Sequence, residues 1–152
     1  MLKLLLPLIC LTVDQLTKYW VFSKKLTVEL LPFLSITPVY NKGFVFGLFQ
    51  HSDGTLKTFF YIGVPLVVVL TLLWLLQKAK NPLTVSGLGL ILGGGLGNLV
   101  DRLLLGQVRD FIDFHIGNWH YPAFNVADSC VTVGIGLLLL SVLFENKALR
   151  GV

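Results

Sequence analysis

The sequence predicts a mainly α membrane protein: a bundle of four transmembrane helices with a small β-containing subdomain outside the bilayer core. Three observations carry that expectation. Of the 152 residues, 55% are hydrophobic and only 13% charged, where a soluble domain is about a quarter charged. The mean hydropathy of +0.80 leaves more apolar surface than one small water-soluble domain can hide. Four apolar runs, at 4–22, 59–76, 85–105 and 126–144, each approach the roughly 20 residues that a helix needs to cross about 30 Å of hydrocarbon. The net charge of +4 comes from Lys and Arg at the ends of these runs, which fits membrane flanks and argues against nucleic acid as a partner.

The first run follows Lys3 and begins like a signal peptide. It continues through Asp14 to Phe22 with no small-residue cleavage site behind it, so it reads as a retained span. The connection 23–58 is too long to be structureless. Its 26–40 stretch is rich in β-branched and aromatic residues, with Pro32 and Pro38 as breaks, and predicts a small sheet. Asn41-Lys-Gly43 reads as a turn, and the apolar 44–49 stretch as an interfacial segment against lipid. In the third run, Gly89, Gly93 and Gly97 recur every fourth residue, a pattern that lets helices approach closely. Cys10 and Cys130 each lie in an apolar run and read as buried thiols. The whole of 1–152 reads as one integral membrane domain.

Four spans put both termini on one side and the connections 23–58 and 106–125 on the other. Lys3, Lys78, Lys80, Lys147 and Arg150 on one side balance Lys24, Lys25, Lys42, Lys57 and Arg109 on the other. The positive-inside rule therefore leaves the orientation open, with a mild lean toward termini inside.

Polar residues inside spans are costly and mark function. Asp14 and Lys18 share a face of the first span at i and i+4, as do Asn98, Asp101 and Arg102 at i, i+3 and i+4 on the third. Asn125 and Asp128 open the fourth, and Asp110 and Asp113 follow the third. Because alternate spans run in opposite directions, all these groups fall in the leaflet facing the two long connections. Asp101 lies about 6 Å from its span end and Asp128 about 3 Å from its own, so they can meet in one pocket. Asp14–Lys18 and Asp101–Arg102 read equally as buried ion pairs or as parts of a reactive site. Asp110 and Asp128 have no cation of their own nearby in sequence. Two carboxylates brought together cannot easily both ionise, and such a pair can act as base and acid at once.

Other chemistries fit less well. Ser129 and Lys18 have no spacing that brings them together as a nucleophile and base. Asp110, Asp113, His115 and His120 match no familiar zinc pattern. A proton-coupled transporter needs polar groups along a continuous path, whereas these cluster in one leaflet. A structural partner held by ion pairs alone remains open.

Five segments, Asp14-Gln-Leu-Thr-Lys18, Asn41-Lys-Gly43, Gly94-Gly-Leu-Gly-Asn-Leu-Val-Asp-Arg102, Val108-Arg-Asp-Phe111 and Pro122-Ala-Phe-Asn-Val-Ala-Asp128, resemble in order the signature segments of bacterial lipoprotein signal peptidase (signal peptidase II). The resemblance covers nearly the whole chain. It implies an intramembrane aspartyl endopeptidase that removes the signal peptide from diacylglyceryl-modified prolipoproteins, cutting before the lipid-bearing cysteine. It implies Asp110 and Asp128 as the catalytic pair. Asp14, Lys18, Asn41, Gly43, Asn98, Asp101, Arg102 and Asn125 would bind substrate or support the pair. It implies no metal or other cofactor, prolipoprotein and membrane lipids as partners, and the bacterial cytoplasmic (inner) membrane, with termini cytoplasmic and the site near the outer face. That makes the β-containing subdomain extracytoplasmic. One complete site in four spans is the expectation for a monomer. Phe44 and Val45 depart from the small residues usual after the Asn-x-Gly segment.

Overall fold

The computed structural model of the chain describes residues 2–42 and 54–150. Helix α1, Leu5–Lys24, follows a short 3-10 turn. Strands β1, Val28–Leu31, and β2, Leu34–Asn41, come next. Helix α2, Gly54–Thr58, one π-helical turn at Phe59–Gly63 and helix α3, Val64–Lys78, form one continuous helix. Helix α4 is Pro82–Leu105, strands β3 and β4 are Val108–Ile116 and Trp119–His120, and helix α5 is Val126–Arg150.

Local chemistry explains where α4 begins and ends. Asn81 caps it by accepting from Leu83 N at 2.9 Å and Thr84 N at 3.4 Å, and Pro82 occupies the first turn, where no N–H is missed. Gly106, at φ 67°, ends it in the left-handed conformation and returns its N–H to Arg102 O. The chain then enters β3 directly.

The four strands form an antiparallel sheet in sequential order. Strand β2 carries one extra residue between Ile36 and Val39 against Ile112 and Asp110 of β3. Pro38 lies in that bulge, where its missing N–H interrupts no ladder. The sheet stands at the end of the bundle where α1 and α4 finish and α5 begins.

Helix α4 is the centre of the bundle, packed on α1, α3 and α5. Its glycines set the spacing. A Cβ on Gly93 would come within 2.7 Å of Cys10 Cβ and Pro7 O, and one on Gly94 would run into the Ala127 carbonyl of α5. The close-packing role read from the Gly89, Gly93 and Gly97 repeat therefore applies chiefly to α1. Between α3 and α4, Val69, Leu76, Leu88, Leu92 and Leu99 are buried together. Large apolar side chains such as Leu16, Val67, Leu104 and Leu139 point outward, as expected of surface solvated by lipid rather than water.

Three helices among the described residues are long and apolar enough to cross a membrane: Gly54–Lys78, Pro82–Leu105 and Val126–Glu145. Helix α1 has 20 residues, about 30 Å at 1.5 Å each. Its hydropathy is lowered by Asp14, Gln15 and Lys18.

Several expectations are corrected. The second and third helices begin earlier than 59 and 85, at Gly54 and Pro82, because Gly54–Thr58 and the Asn81–Pro82 cap extend them beyond their apolar cores. The last helix continues past 144 to Arg150. Asn41 ends β2 opposite Val108 rather than standing in a turn. The sheet is not confined to 26–40 but draws β3 and β4 from 106–125. Cys10 and Cys130 are not separate thiols: they form a disulfide between α1 and α5, with Cα atoms 6.8 Å apart. Their 120-residue separation hid that proximity in the sequence.

Candidate active site

Two layers of polar residues, the deeper one buried and the other partly open, lie where α1, α4, β3 and α5 meet. The deeper layer is an ion network. Lys18 Nζ is 2.8 Å from Asp14 Oδ2 and 3.5 Å from Asp101 Oδ2, and all three side chains are fully buried. Arg109, the second residue of β3, grips Asp101 with Nη2 at 2.7 Å from Oδ1, Nε at 3.2 Å from Oδ2 and its main-chain N at 2.9 Å from Oδ2. Gln15 Nε2 donates to Asp14 Oδ2, Asp101 Oδ1 and Gly97 O, while its Oε1 accepts from Arg109 Nη2 at 2.9 Å. Two acids and two bases balance, and hydrogen bonds occupy both oxygens of Asp14 and Asp101. Asp14 Oδ1 also accepts from Ala127 N at 2.9 Å, which ties α1 to the first turn of α5.

Lys18 connects this layer to the next by donating to Asn98 Oδ1 at 3.0 Å. Asn98 Nδ2 in turn donates to Asp128 Oδ1 at 2.8 Å. Asn125 immediately precedes α5 and caps it. Its Oδ1 accepts from Asp128 N at 3.0 Å, and Asp128 Oδ2 accepts from Asn125 N at 3.1 Å. This is the reciprocal capping box of a helix start, built from Asn and Asp. The Asn125 amide also donates to Asp110 Oδ1 at 2.7 Å, and Asn41 Nδ2 donates to Asp110 Oδ2 at 2.9 Å. Every carboxylate oxygen of Asp110 and Asp128 thus accepts one hydrogen bond from a fixed donor.

Among the described residues, neither Asp110 nor Asp128 forms an ion pair. Burial pushes the Asp110 carboxyl up from the usual carboxylate range to about 6. The Asn41 hydrogen bond opposes this, the negative charge of Asp128 adds to it, and Asn125 and Lys18 oppose it further. Asp110 therefore holds a proton more readily than an ordinary aspartate.

Each carboxylate lines a separate opening. Asp128 borders a cavity of ≈ 370 Å³ with Tyr121, Phe124, Ser129, Thr132 and Val133. Asp110 borders one of ≈ 380 Å³ with Val39, Tyr40, Asn41, Lys42, Pro122 and Ala123. Both are within the size range of small-molecule and peptide sites. A fixed acidic pair with each member open to a cavity can hold a water, take its proton and give one back.

Of the ten candidate residues, Asp14, Lys18, Asn41, Asn98, Asp101, Asp110, Asn125 and Asp128 fall in this one network. Arg102 does not join it. Asp101 pairs with Arg109 and Lys18, not with Arg102, because consecutive helical residues point about 100° apart. Arg102 instead stacks over the Tyr61 ring at 5.1 Å. Gly43 and the 44–49 segment lie outside the described residues. Asp113 belongs elsewhere, bonded to His120 at 2.9 Å, while Ser35 Oγ lies 3.0 Å from His115 Nε2. Sequence reading missed Gln15 and Arg109. Both adjoin a candidate aspartate, and their hydrogen-bonding side chains in otherwise apolar or strand-like segments were the available signal.

Comparison with known proteins places these observations. The family model for Signal peptidase (SPase) II matches residues 6–144. The lipoprotein signal peptidase of Aquifex aeolicus is 44% identical over 124 residues, covering 81% of this chain and 74% of that protein. The lipoprotein signal peptidase of Burkholderia thailandensis is 42% identical over 150 residues, covering 96% and 88%. Two solved structures, each described as a bacterial membrane enzyme determined by the in meso method, superpose with TM-scores of 0.80 and 0.79 at 30% and 31% identity. The first covers 96% of this chain and 90% of its own, the second 93% and 92%.

Proposed function

The chain belongs to the signal peptidase II family, and on that premise we propose that it is an intramembrane aspartyl endopeptidase. It removes signal peptides from diacylglyceryl-modified prolipoproteins, cutting before the lipid-bearing cysteine. Family membership supports peptidase activity and a prolipoprotein substrate. The observation that carries the aspartyl mechanism is the convergence of Asp110 and Asp128 on Asn125, with all four carboxylate oxygens held by donors and neither acid ion-paired among the described residues.

In this reading a water lies between the two acids. Asp128 takes a proton from the water as its oxygen attacks the scissile carbonyl carbon. Asp110, which burial keeps protonated more readily, gives its proton to the carbonyl oxygen. Collapse of the tetrahedral gem-diol breaks the C–N bond: one of its hydroxyls returns a proton to Asp110 as the carbonyl re-forms, and the proton held by Asp128 passes to the leaving amine. The dyad returns to one proton, and the atoms balance without a metal. Asn98 and Asn125 hold the two acids in place, and Lys18 biases Asn98 by donating to its oxygen.

Helix α1 serves as the fourth span, its polar face turned inward to α4 and its Leu16 and Trp20 outward. The termini lie in the cytoplasm and the sheet outside the cytoplasmic membrane. An extended segment of the substrate then reaches the acids from the outer leaflet while its acyl chains remain in lipid. The site is complete within one chain, so a monomer suffices.

The test is cleavage of a diacylglyceryl-modified prolipoprotein by detergent-purified wild type and Asp128→Asn, with a chelator present throughout. Cleavage before the modified cysteine by wild type alone is expected. Normal cleavage by Asp128→Asn removes the dyad assignment, and failure of well-folded wild type to cleave removes the substrate assignment.

A further inference from the structure

The two hairpin turns of the sheet lie side by side. Pro32-Phe33 joins β1 to β2, and Gly117-Asn118, with Gly117 at φ 59°, joins β3 to β4. The sequential antiparallel order puts both turns at the same end of the sheet. His115 N donates to Phe33 O at 3.0 Å, and the Phe33 and Phe114 rings meet with centroids 5.8 Å apart. This end is apolar and exposed: Leu30, Leu31, Phe33, Ile116 and Trp119 are each between 44% and 66% exposed. Single exposed apolar residues are ordinary, but five on two adjoining hairpins form a patch that calls for a partner.

Two landmarks fix where the patch lies relative to the bilayer. On the β1 side, the exposed Lys24 and Lys25 close α1, in the position where basic residues meet lipid phosphates, and β1 begins three residues later at Val28. On the β4 side, the strand ends at His120, and Tyr121 borders the Asp128 cavity together with Thr132 and Val133 of α5. Val133 belongs to the span Val126–Glu145 and lies about 10 Å along α5 from its start. Trp119 precedes Tyr121 by two residues, which is about 7 Å of strand. A sheet standing upright on the bundle would carry its tips about 20 Å into water, the length of β3 from Asp110 to Ile116. The packing of Tyr121 beside α5 holds the sheet down instead, so its strands run along the membrane surface.

We propose that the paired hairpin tips, carrying Leu30, Leu31, Phe33, Ile116 and Trp119, are a lipid-binding surface that dips into the leaflet on the acid side. The patch is continuous with the lipid-solvated flank of the bundle through Tyr121 and α5, which selects lipid over a soluble partner. Trp suits the boundary between headgroups and acyl chains, because its ring is apolar and its N–H still reaches water. The anchor has a consequence for the site. Strand β3 carries Ile116 at the tip and Asp110 beside the bundle, so holding the tip in lipid fixes the tilt of the strand and with it the depth of that acid. The proposal does not depend on what the substrate is.

The experiment reads Trp119 alone, in a Trp20→Phe, Trp74→Phe variant of the full chain; both replaced rings are exposed on the helix surface. The variant is reconstituted at low protein-to-lipid ratio into phosphatidylcholine vesicles whose acyl chains carry bromine at a shallow or a deep position, with iodide available on both sides. Shallow bromines are expected to quench Trp119 roughly twofold more than deep ones, as for a side chain held about 5–10 Å into the boundary region, and iodide to quench it far less than free tryptophan. Strong iodide quenching without bromine quenching places the tips in water and overturns the proposal. Protection from both quenchers means that protein covers the tips, a second copy or another chain, and overturns it as well. Should the two substitutions prevent folding, a nitroxide at Asn118→Cys, in the β3–β4 turn, decides the same question. Oxygen, which concentrates in lipid, is expected to broaden its spectrum more than a water-soluble nickel chelate does, and the reverse order overturns the proposal.

Discussion

Asn125 and Asp128 hold each other across the first turn of α5: Asp128 N donates to Asn125 Oδ1 at 3.0 Å, and Asn125 N donates to Asp128 Oδ2 at 3.1 Å. The same Asn125 side chain reaches Asp110 Oδ1 at 2.7 Å. A motif that starts a helix therefore also sets the position of one acid relative to the other.

These two duties of Asn125 separate by mutation. Serine is a good N-cap but has no amide to donate to Asp110 while capping. Asn125→Ser should keep the cap but cost about 1–3 kcal/mol in unfolding, because Asp110 Oδ1, Asn98 Oδ1 and Arg109 O lose a buried donor, and should lose roughly a hundredfold or more in kcat. Paired thermal-unfolding and cleavage assays check it. Wild-type turnover would show that Asn125 is a cap and nothing more.

Burial of Asp110 gives stability a particular pH dependence. Its carboxyl is raised from 3.8 to about 6, so the folded state binds this proton more tightly than the unfolded state. Its contribution is fully present below about pH 4 and is lost as pH rises through about 6. Asp110→Asn should accordingly melt higher than wild type at pH 7.5, and the gap should close on acidification to pH 4. A gap that widens toward low pH contradicts the assignment.

The buried ion network predicts a rescue. Lys18→Met leaves Asp14 and Asp101 with Arg109 as their only cation among the described residues and should cost about 3–5 kcal/mol. Adding Asp14→Asn removes the stranded charge and should restore a large part of that loss. Activity should remain low in the double variant, because the Lys18 donor to Asn98, and through it to Asp128, is still gone. Unfolding in detergent and cleavage together read the two effects.

Gly97 is where α1 touches α4 at its charged face. A Cβ there would lie 2.5 Å from Asp14 Oδ2 and 3.1 Å from Asp14 Cγ. Gly97→Ala should cost about 1–3 kcal/mol by overpacking, despite the better helix propensity of alanine. Gly136→Ala on α5 meets nothing within 4 Å and serves as the control, with stability unchanged or raised. Equal melting temperatures for the two variants would remove the close-packing role of Gly97.

Much of this arrangement was fixed by the sequence alone. Long apolar runs have few folded states other than membrane helices, so the helical regions and their approximate limits follow from composition and length. Helical periodicity puts Asp14 with Lys18 and Asn98 with Asp101, and the alternation of spans puts them in one leaflet with Asp110 and Asp128. Partner choice was decided by tertiary structure. Asp101 turned from its neighbour Arg102 to Arg109 because β3 enters directly below the end of α4 and presents its main chain and guanidinium together. Cys10 met Cys130, and β2 found β3, across separations that no local pattern records. The stacking of Arg102 on Tyr61 likewise exists only because two antiparallel helices bring these residues to the same end of the bundle. Periodicity acts within an element, while hydrogen bonds and charges between elements depend on how the elements are packed.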